Sequence, residues 1–156
     1  MKRTTRRALL VGGVLMMFTA VTIGVAHASA GSGRIYRGSP NGTYNVCAQA
    51  WIYDTADNVA ETISQDWNTG CWNDNDSQSS GWLGAKALGY RDGGYCGSTG
   101  WYYNSVSTWK FAVGAYLCSN PSGTQVFKTK ADSRAWDDGE NDYDDYLQVQ
   151  SPNQNY

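Results

Sequence analysis

Residues 109–118, Trp109-Lys-Phe-Ala-Val-Gly-Ala-Tyr-Leu-Cys118, are the stretch that decides the fold of this chain. Every second side chain from Trp109 to Leu117 is apolar, so an extended backbone would bury one of its faces. The next five residues, Ser-Asn-Pro-Ser-Gly, are typical of a turn. Residues 124–130 then alternate in polarity. This pattern predicts two strands joined by a turn, with Trp109 in the core.

The same period of two recurs along most of the chain. Tyr44, Val46, Ala48, Ala50 and Ile52 occupy alternate positions and predict a half-buried strand. A turn-like segment follows, and we interpret the next stretch as the partner strand. The predicted partner strand covers residues 59–67, and the alternative for this stretch is a helix over 57–65. Further strand candidates are 82–90, 101–103 and 143–149.

These signals together indicate an all-β fold. About seven short strands, separated by turns and without a sustained helical period, are typical of an antiparallel sandwich or a small barrel. We therefore expect a small antiparallel β-sandwich domain over residues 43–156.

Residues 1–30 have the composition of a secretory signal peptide. A basic start precedes an apolar run over residues 8–25, and Ala-x-Ala-type cleavage sites end at Ala28 and Ala30. Glycine and threonine interrupt the run, which favours a cleaved signal over a transmembrane anchor. We expect a secreted, extracellular protein that has no membrane contact after cleavage near Ala30. An arginine pair in the basic start leaves Sec and twin-arginine export open.

Four cysteines lie beyond the signal peptide, and an even number in a short exported chain indicates two disulfides. Three pairings are possible. We favour the sequential one, Cys47–Cys71 with Cys96–Cys118, in which each bridge would close a local loop. Metal ligation is disfavoured, because the chain has no C-x-x-C pair and no cluster that contains histidine.

Residues 31–42 are rich in glycine and serine and predict a flexible N-terminal arm. Arg34, Tyr36 and Arg37 form a short basic and aromatic patch within it. We interpret this patch as a docking peptide for a partner.

Charge and histidine content exclude several functions. Four of the twelve basic residues lie in the signal peptide and all fourteen acidic residues lie beyond it, so the mature chain has a net charge of −6. This charge disfavours nucleic acid and anionic membranes as partners. The only histidine, His27, lies in the signal peptide. Without it, Ser-His and Cys-His catalysis and histidine-ligated metals are excluded, so we expect no enzyme and no cofactor.

An acidic segment lies near the C-terminus. Asp138, Glu140, Asp142 and Asp144 alternate, so an extended chain would place all four carboxylates on one face. We interpret them as a docking edge for a basic protein surface. Ca²⁺ binding is the alternative there, although the EF-hand spacing fails, and we assign no metal site. A short sequence at 75–80 resembles the calcium motif of βγ-crystallins.

Aromatic residues are the remaining signal. All seven tryptophans and eleven tyrosines lie beyond the signal peptide. Trp72, Trp101 and Trp136 stand beside polar loops, where exposed rings would contact a protein or a sugar.

These observations give ranked hypotheses. The first is a secreted, non-catalytic module that binds an extracellular protein, as an adaptor or an inhibitor. The second is a glycan-binding module that uses the loop tryptophans and tyrosines. An enzyme ranks third.

In its size, its signal peptide, its Gly/Ser-rich arm and its four-cysteine β domain, the chain resembles the small adaptor subunit of secreted actinobacterial umbrella toxin particles. The resemblance implies a protein that links a lectin subunit to a large toxin-bearing subunit. A single-domain βγ-crystallin-like inhibitor or toxin is similar in size and cysteine count.

Overall fold

The computed structural model describes residues 29–38, 45–53, 57–65, 71, 77–119 and 124–155. The signal-peptide prediction therefore lies outside the described residues, apart from its last two positions. The described residues form strands and no helix. The strands are β1 (Ala30–Gly31), β2 (Ile35–Arg37), β3 (Asn45–Ile52), β4 (Asp57–Gln65), β5 (Leu83–Arg91), β6 (Gly94–Ser98), β7 (Tyr102–Tyr103), β8 (Lys110–Tyr116), β9 (Val126–Asp137), β10 (Asp142–Gln150) and β11 (Gln154–Asn155).

The strands form two antiparallel sheets that pack as a sandwich. The first sheet has the order β1-β3-β4-β8, with β2 also paired to β3. The second sheet has the order β10-β9-β5-β6, with β7 paired to β5 and β11 to β9. The all-β prediction is confirmed. The strands beyond the expected seven are mostly pieces of two or three residues. The alternative helix over 57–65 is wrong, because these residues are β4.

The interior is built from the alternation seen in the sequence. Val46, Ala48, Ala50 and Ile52 of β3 are fully buried, as the pattern predicts. In β9 every second side chain from Phe127 onward is buried. The main cluster contains small side chains from both sheets: Ala48, Ala50, Ala60, Ala85, Ala87, Ala131 and Val149.

The N-terminal segment differs from the flexible arm expected over 31–42. Its described part is paired with β3: Ala30 lies opposite Ile52, and Ile35 lies opposite Ala48. The Ile35 side chain packs against the main cluster. Burial of this side chain and hydrogen bonds to the edge of β3 outweigh the glycine and serine content. Residues 39–42 lie outside the described part.

Both disulfides have the sequential pairing that the sequence analysis favoured. Cys47–Cys71 lies on the outer side of the first sheet, where it packs with Ile63. Cys96–Cys118 joins β6 of the second sheet to the segment after β8 of the first sheet. The second bridge therefore ties the two sheets together.

Trp109 does not lie in the core as the periodicity predicted. It precedes β8 and is half-buried against the Cys47, Ile63 and Cys71 cluster on the outside of the first sheet. The regular alternation of the strand begins only at Lys110, so it does not fix the direction of the preceding side chain.

Among the residues described, we find no helix long and apolar enough to cross a membrane.

Candidate functional site

The outer face of the second sheet carries the densest group of aromatic and charged side chains. In β9 the buried positions alternate with Lys128, Lys130, Asp132, Arg134 and Trp136. Because alternate side chains point to opposite sides of a sheet, these five project away from the core. We call this surface the outer sheet face.

Arg134 lies at the centre of a compact group of rings. Its guanidinium carbon is 3.9 Å from the ring centroid of Trp101 and 5.4 Å from that of Tyr143. Tyr143 contacts Tyr103 at 4.9 Å between centroids and meets Trp136 edge-on at 5.0 Å. We call these five residues the aromatic–arginine cluster.

Hydrogen bonds fix the orientation of Arg134. Its Nε and Nη2 donate to the two carboxylate oxygens of Asp145 at 2.7 and 2.9 Å, which is a bidentate ion pair. Its Nη1 donates to the hydroxyl of Tyr103 at 3.1 Å. Burial alone would lower the pKa of Arg134, but the bonds to Tyr103 and Asp145 outweigh burial and raise it. The guanidinium is therefore a permanent, well-placed cation.

Tyr143 is anchored in the same way. Its hydroxyl donates to the carbonyl oxygen of Gly81 at 2.6 Å. Burial, with a further contribution from Tyr103, raises the pKa of the Tyr143 hydroxyl. The hydroxyl therefore remains protonated, as its donor role requires.

A glycine in β5 allows these side chains to pack flat on the sheet. Gly84 pairs with Arg134 on one side and with Tyr103 on the other. A methyl group at Gly84 would lie 2.7 Å from Cγ of Arg134 and 2.9 Å from Cε1 of Tyr103. Any larger residue would therefore displace both side chains.

The loop that supplies Trp101 is held by a buried asparagine. Asn104 Nδ2 donates to the carbonyl oxygens of Ser79 and Val106, each at 2.8 Å. Its Oδ1 accepts a hydrogen bond from the backbone N–H of Leu83 at 2.8 Å. The bonds to Leu83 and Ser79 attach the aromatic loop to the start of β5 and to the segment before it, and the bond to Val106 closes the loop itself.

A shallow cavity of about 320 Å³ adjoins the cluster and is lined by Trp101, Arg134, Lys86 and Asp132 among others. Lys86 Nζ lies 2.8 Å from Asp132 and 5.0 Å from the ring centroid of Trp101. Leu147 lines the same cavity and is 78% exposed. The cavity thus combines apolar surface with paired charges.

Two of the three tryptophans named from the sequence belong to this surface. Trp101 and Trp136 are both half-exposed members of the aromatic–arginine cluster. Trp72 lies outside the described residues. The βγ-crystallin-like motif at 75–80 belongs to the described residues only from Ser77 onward. Within it, Gln78 forms an isolated antiparallel β-bridge with Thr108.

The predicted acidic docking edge is not formed. Asp138 and Glu140 lie in the turn between β9 and β10, and only Asp142 and Asp144 are in a strand. Asp144 is 6% exposed because its position pairs with Ala135 on the inner side of the sheet. Asp138 accepts a hydrogen bond from the Trp136 indole at 2.9 Å. The turn breaks the alternation, so the four carboxylates do not share a face.

The two arginines of the N-terminal basic patch bond to different parts of the fold. Arg34 Nη1 donates to the carbonyl oxygen of Cys71 at 3.2 Å, and Arg37 Nε donates to that of Leu147 at 3.1 Å. Only Tyr36 is exposed. Arg34 also lies 3.9 Å from Glu61, whose pKa is raised by burial against the smaller, opposing effects of Lys110 and Arg34.

The sequence pattern did not single out Tyr103, Arg134, Tyr143 and Asp145 as site residues. A signal for part of this set was present, because Arg134 and Trp136 share one parity of a long alternating strand. The side-chain contacts of Arg134 with Tyr103 of β7, across β5, and with Tyr143 and Asp145 of β10 depend on the tertiary structure.

The described residues contain no group of three or more His, Cys, Asp or Glu side chains that could hold a metal ion. No protein-family model matches the chain, and no curated protein or solved structure shows significant similarity to it.

Proposed function

We propose that this chain is a secreted, non-catalytic protein-binding module that acts as an adaptor in an extracellular complex. The observation that carries the proposal is the aromatic–arginine cluster on the outer sheet face. The two disulfides are consistent with an extracellular protein.

The composition of the cluster is that of a protein-recognition surface. Tryptophan, tyrosine and arginine dominate the binding energy of protein interfaces. Here Arg134 is held by Asp145 and Tyr103, and Tyr143 is held by Gly81, so little side-chain freedom remains to be lost on binding. Such a preordered surface favours a specific partner.

An adaptor needs a second docking face, and the first sheet offers one. Its outer side displays Tyr36, Tyr53 and Tyr116, each more than one-third exposed. Trp51 lies beside Tyr53, with 6.1 Å between their ring centroids. The two faces point in opposite directions across a sandwich of two sheets that pack about 10 Å apart. Two partners could therefore bind at once.

The resemblance to the small adaptor of umbrella toxin particles supports the same role. It covers size, the signal-peptide-like start and the four-cysteine β domain. We extend the proposal to a toxin-type complex on that basis.

Capture from the culture supernatant tests the proposal. Immobilised mature protein should retain one protein in stoichiometric amount, identified by mass spectrometry. Trp101→Ala should weaken its capture by about tenfold or more, because a central aromatic contact is lost. Tyr102→Ala is the matched control. Tyr102 directly follows Trp101 and is exposed, but it lies outside the aromatic–arginine cluster.

Two results would overturn the proposal. One is equal capture by wild type and Trp101→Ala. The other is retention on insoluble polysaccharide with no protein partner, which would favour the glycan-binding alternative.

A further inference from the structure

A second concave site lies at the other end of the outer sheet face. It is a groove of about 460 Å³ between the β5–β6 turn, the start of β9 and the segment after β10. We call it the lysine groove. Its polar and aromatic side chains are those of Tyr90, Asp92, Lys128, Lys130, Gln150 and Asn153.

The two lysines of the groove differ from the other cations of this face. Lys86 and Arg134 are paired with Asp132 and Asp145. Within the described part of the chain, no carboxylate lies within ion-pair distance of Lys128 or Lys130. Both project from the same side of β9 two residues apart, so their Cα atoms are about 6.6 Å apart. They form a pair of positive charges without an ion-pair partner among the described residues, in an otherwise acidic protein.

An aromatic side chain orders one of these ammonium groups. Lys130 Nζ lies 4.7 Å from the ring centroid of Tyr90, which is a cation–π distance. Tyr95 supports Tyr90 edge-on, with 5.7 Å between centroids. The Lys130 charge is thereby held at the groove rather than extended into solvent.

The remaining groove side chains are hydrogen-bonding groups suited to hydroxyls. Gln150 and Asn153 present amides, and no hydrogen bond of either side chain to another described residue is formed. Asp92 uses Oδ1 to accept a hydrogen bond from the backbone N–H of Val126 at 2.9 Å. Sugar hydroxyls can donate to its carboxylate, whereas the ionised side chains of a polyacidic peptide offer it no donor.

We propose that the lysine groove binds an acidic carbohydrate. The sugar carboxylate lies between Lys128 and Lys130, and its ring hydroxyls bond to Gln150, Asn153 and Asp92. This site shares no residue with the aromatic–arginine cluster, so either proposal can fail without the other.

Titration calorimetry with a galacturonic acid tetramer tests this site. The fully methyl-esterified tetramer is the matched ligand control, because it keeps the shape and removes the charge. We expect the acid to bind at least about tenfold more tightly than the ester, with affinity that falls as salt screens the lysines. The double variant Lys128→Gln/Lys130→Gln should lose at least about tenfold in affinity.

Lys110→Gln is the matched protein control, since Lys110 is exposed on the first sheet. It should bind like wild type, and circular dichroism should show the same fold for all variants. Absence of binding, equal binding of acid and ester, or an unaffected double variant would overturn the site. Tighter binding of hexaglutamate than of the tetramer would also overturn it, in favour of an acidic peptide.

Discussion

At the residue scale, single residues beneath and beside the aromatic–arginine cluster position its side chains. Asn104 makes three hydrogen bonds to backbone groups and so fixes the loop of Trp101. Gly84 leaves room for Arg134 and Tyr103. At each of these two positions the packing requires one particular residue type, which the amino-acid composition does not reveal.

Glu61 is a buried carboxyl whose charged form is unfavourable in the folded protein. It lies on the outer side of the first sheet, is 7% exposed, and its pKa is raised above the ordinary value of 4.5 by burial. A raised pKa means that the folded state holds the proton more tightly than the unfolded state. The contribution of Glu61 to stability is therefore most favourable below pH 4.5 and is lost as the pH rises through its folded-state pKa.

The variant Glu61→Gln should remove this loss of stability at rising pH. We expect its free energy of unfolding to exceed that of wild type at pH 7, and the difference to disappear below pH 4.5. Urea denaturation at several pH values measures both. A variant that is less stable than wild type at pH 7 would show that attraction to Arg34 outweighs the cost of burial.

At the element scale, the N-terminal strands are part of the first sheet. Ala30 packs against the Ile52, Cys118 and Phe127 cluster, and Ile35 packs against the main cluster. Arg37 also connects β2 to β10 of the second sheet through the carbonyl oxygen of Leu147. The segment therefore contributes to both sheets.

Deletion of residues 31–38 from the mature chain should lower the melting temperature by several degrees. The reason is the loss of the apolar contacts of Ile35 together with the backbone pairing of Gly31 and β2. Differential scanning calorimetry measures the change. An unchanged melting temperature would instead support an independent arm, as the glycine and serine content predicted.

At the scale of the whole molecule, the two disulfides close loops of similar length but lie in different surroundings. Their sequence separations are 24 and 22 residues, so the entropic contribution should be about 3 kcal/mol for each. Cys47 and Cys71 are both buried against Ile63, whereas in the second bridge Cys118 is buried beside Ile52 and Phe127 and Cys96 is exposed.

Removal of the two bridges should therefore have unequal effects. Cys96→Ala/Cys118→Ala should cost about 3 kcal/mol of unfolding free energy. Cys47→Ala/Cys71→Ala should cost more, because two buried sulfur atoms lose packing there, whereas only that of Cys118 is buried in the other bridge. Guanidinium denaturation of both double variants gives the comparison. Equal losses would mean that loop closure alone determines the contribution of each bridge.

The sequence by itself determined the all-β class and the inward faces of β3 and β8, and it left three disulfide pairings open, of which the structure has the favoured one. The class and the faces are local properties, since the period of two is read along one stretch of chain. Export and partner binding stay predictions.

Only the tertiary structure decided the aromatic–arginine cluster. Trp101, Arg134 and Tyr143 come from three separate segments, and their contact depends on which strands neighbour one another. The acidic edge failed for the same reason, because the β9–β10 turn interrupts the alternation and directs Asp144 inward. Side-chain periodicity fixes a face within one strand, whereas the juxtaposition of strands is set by packing of the whole sandwich.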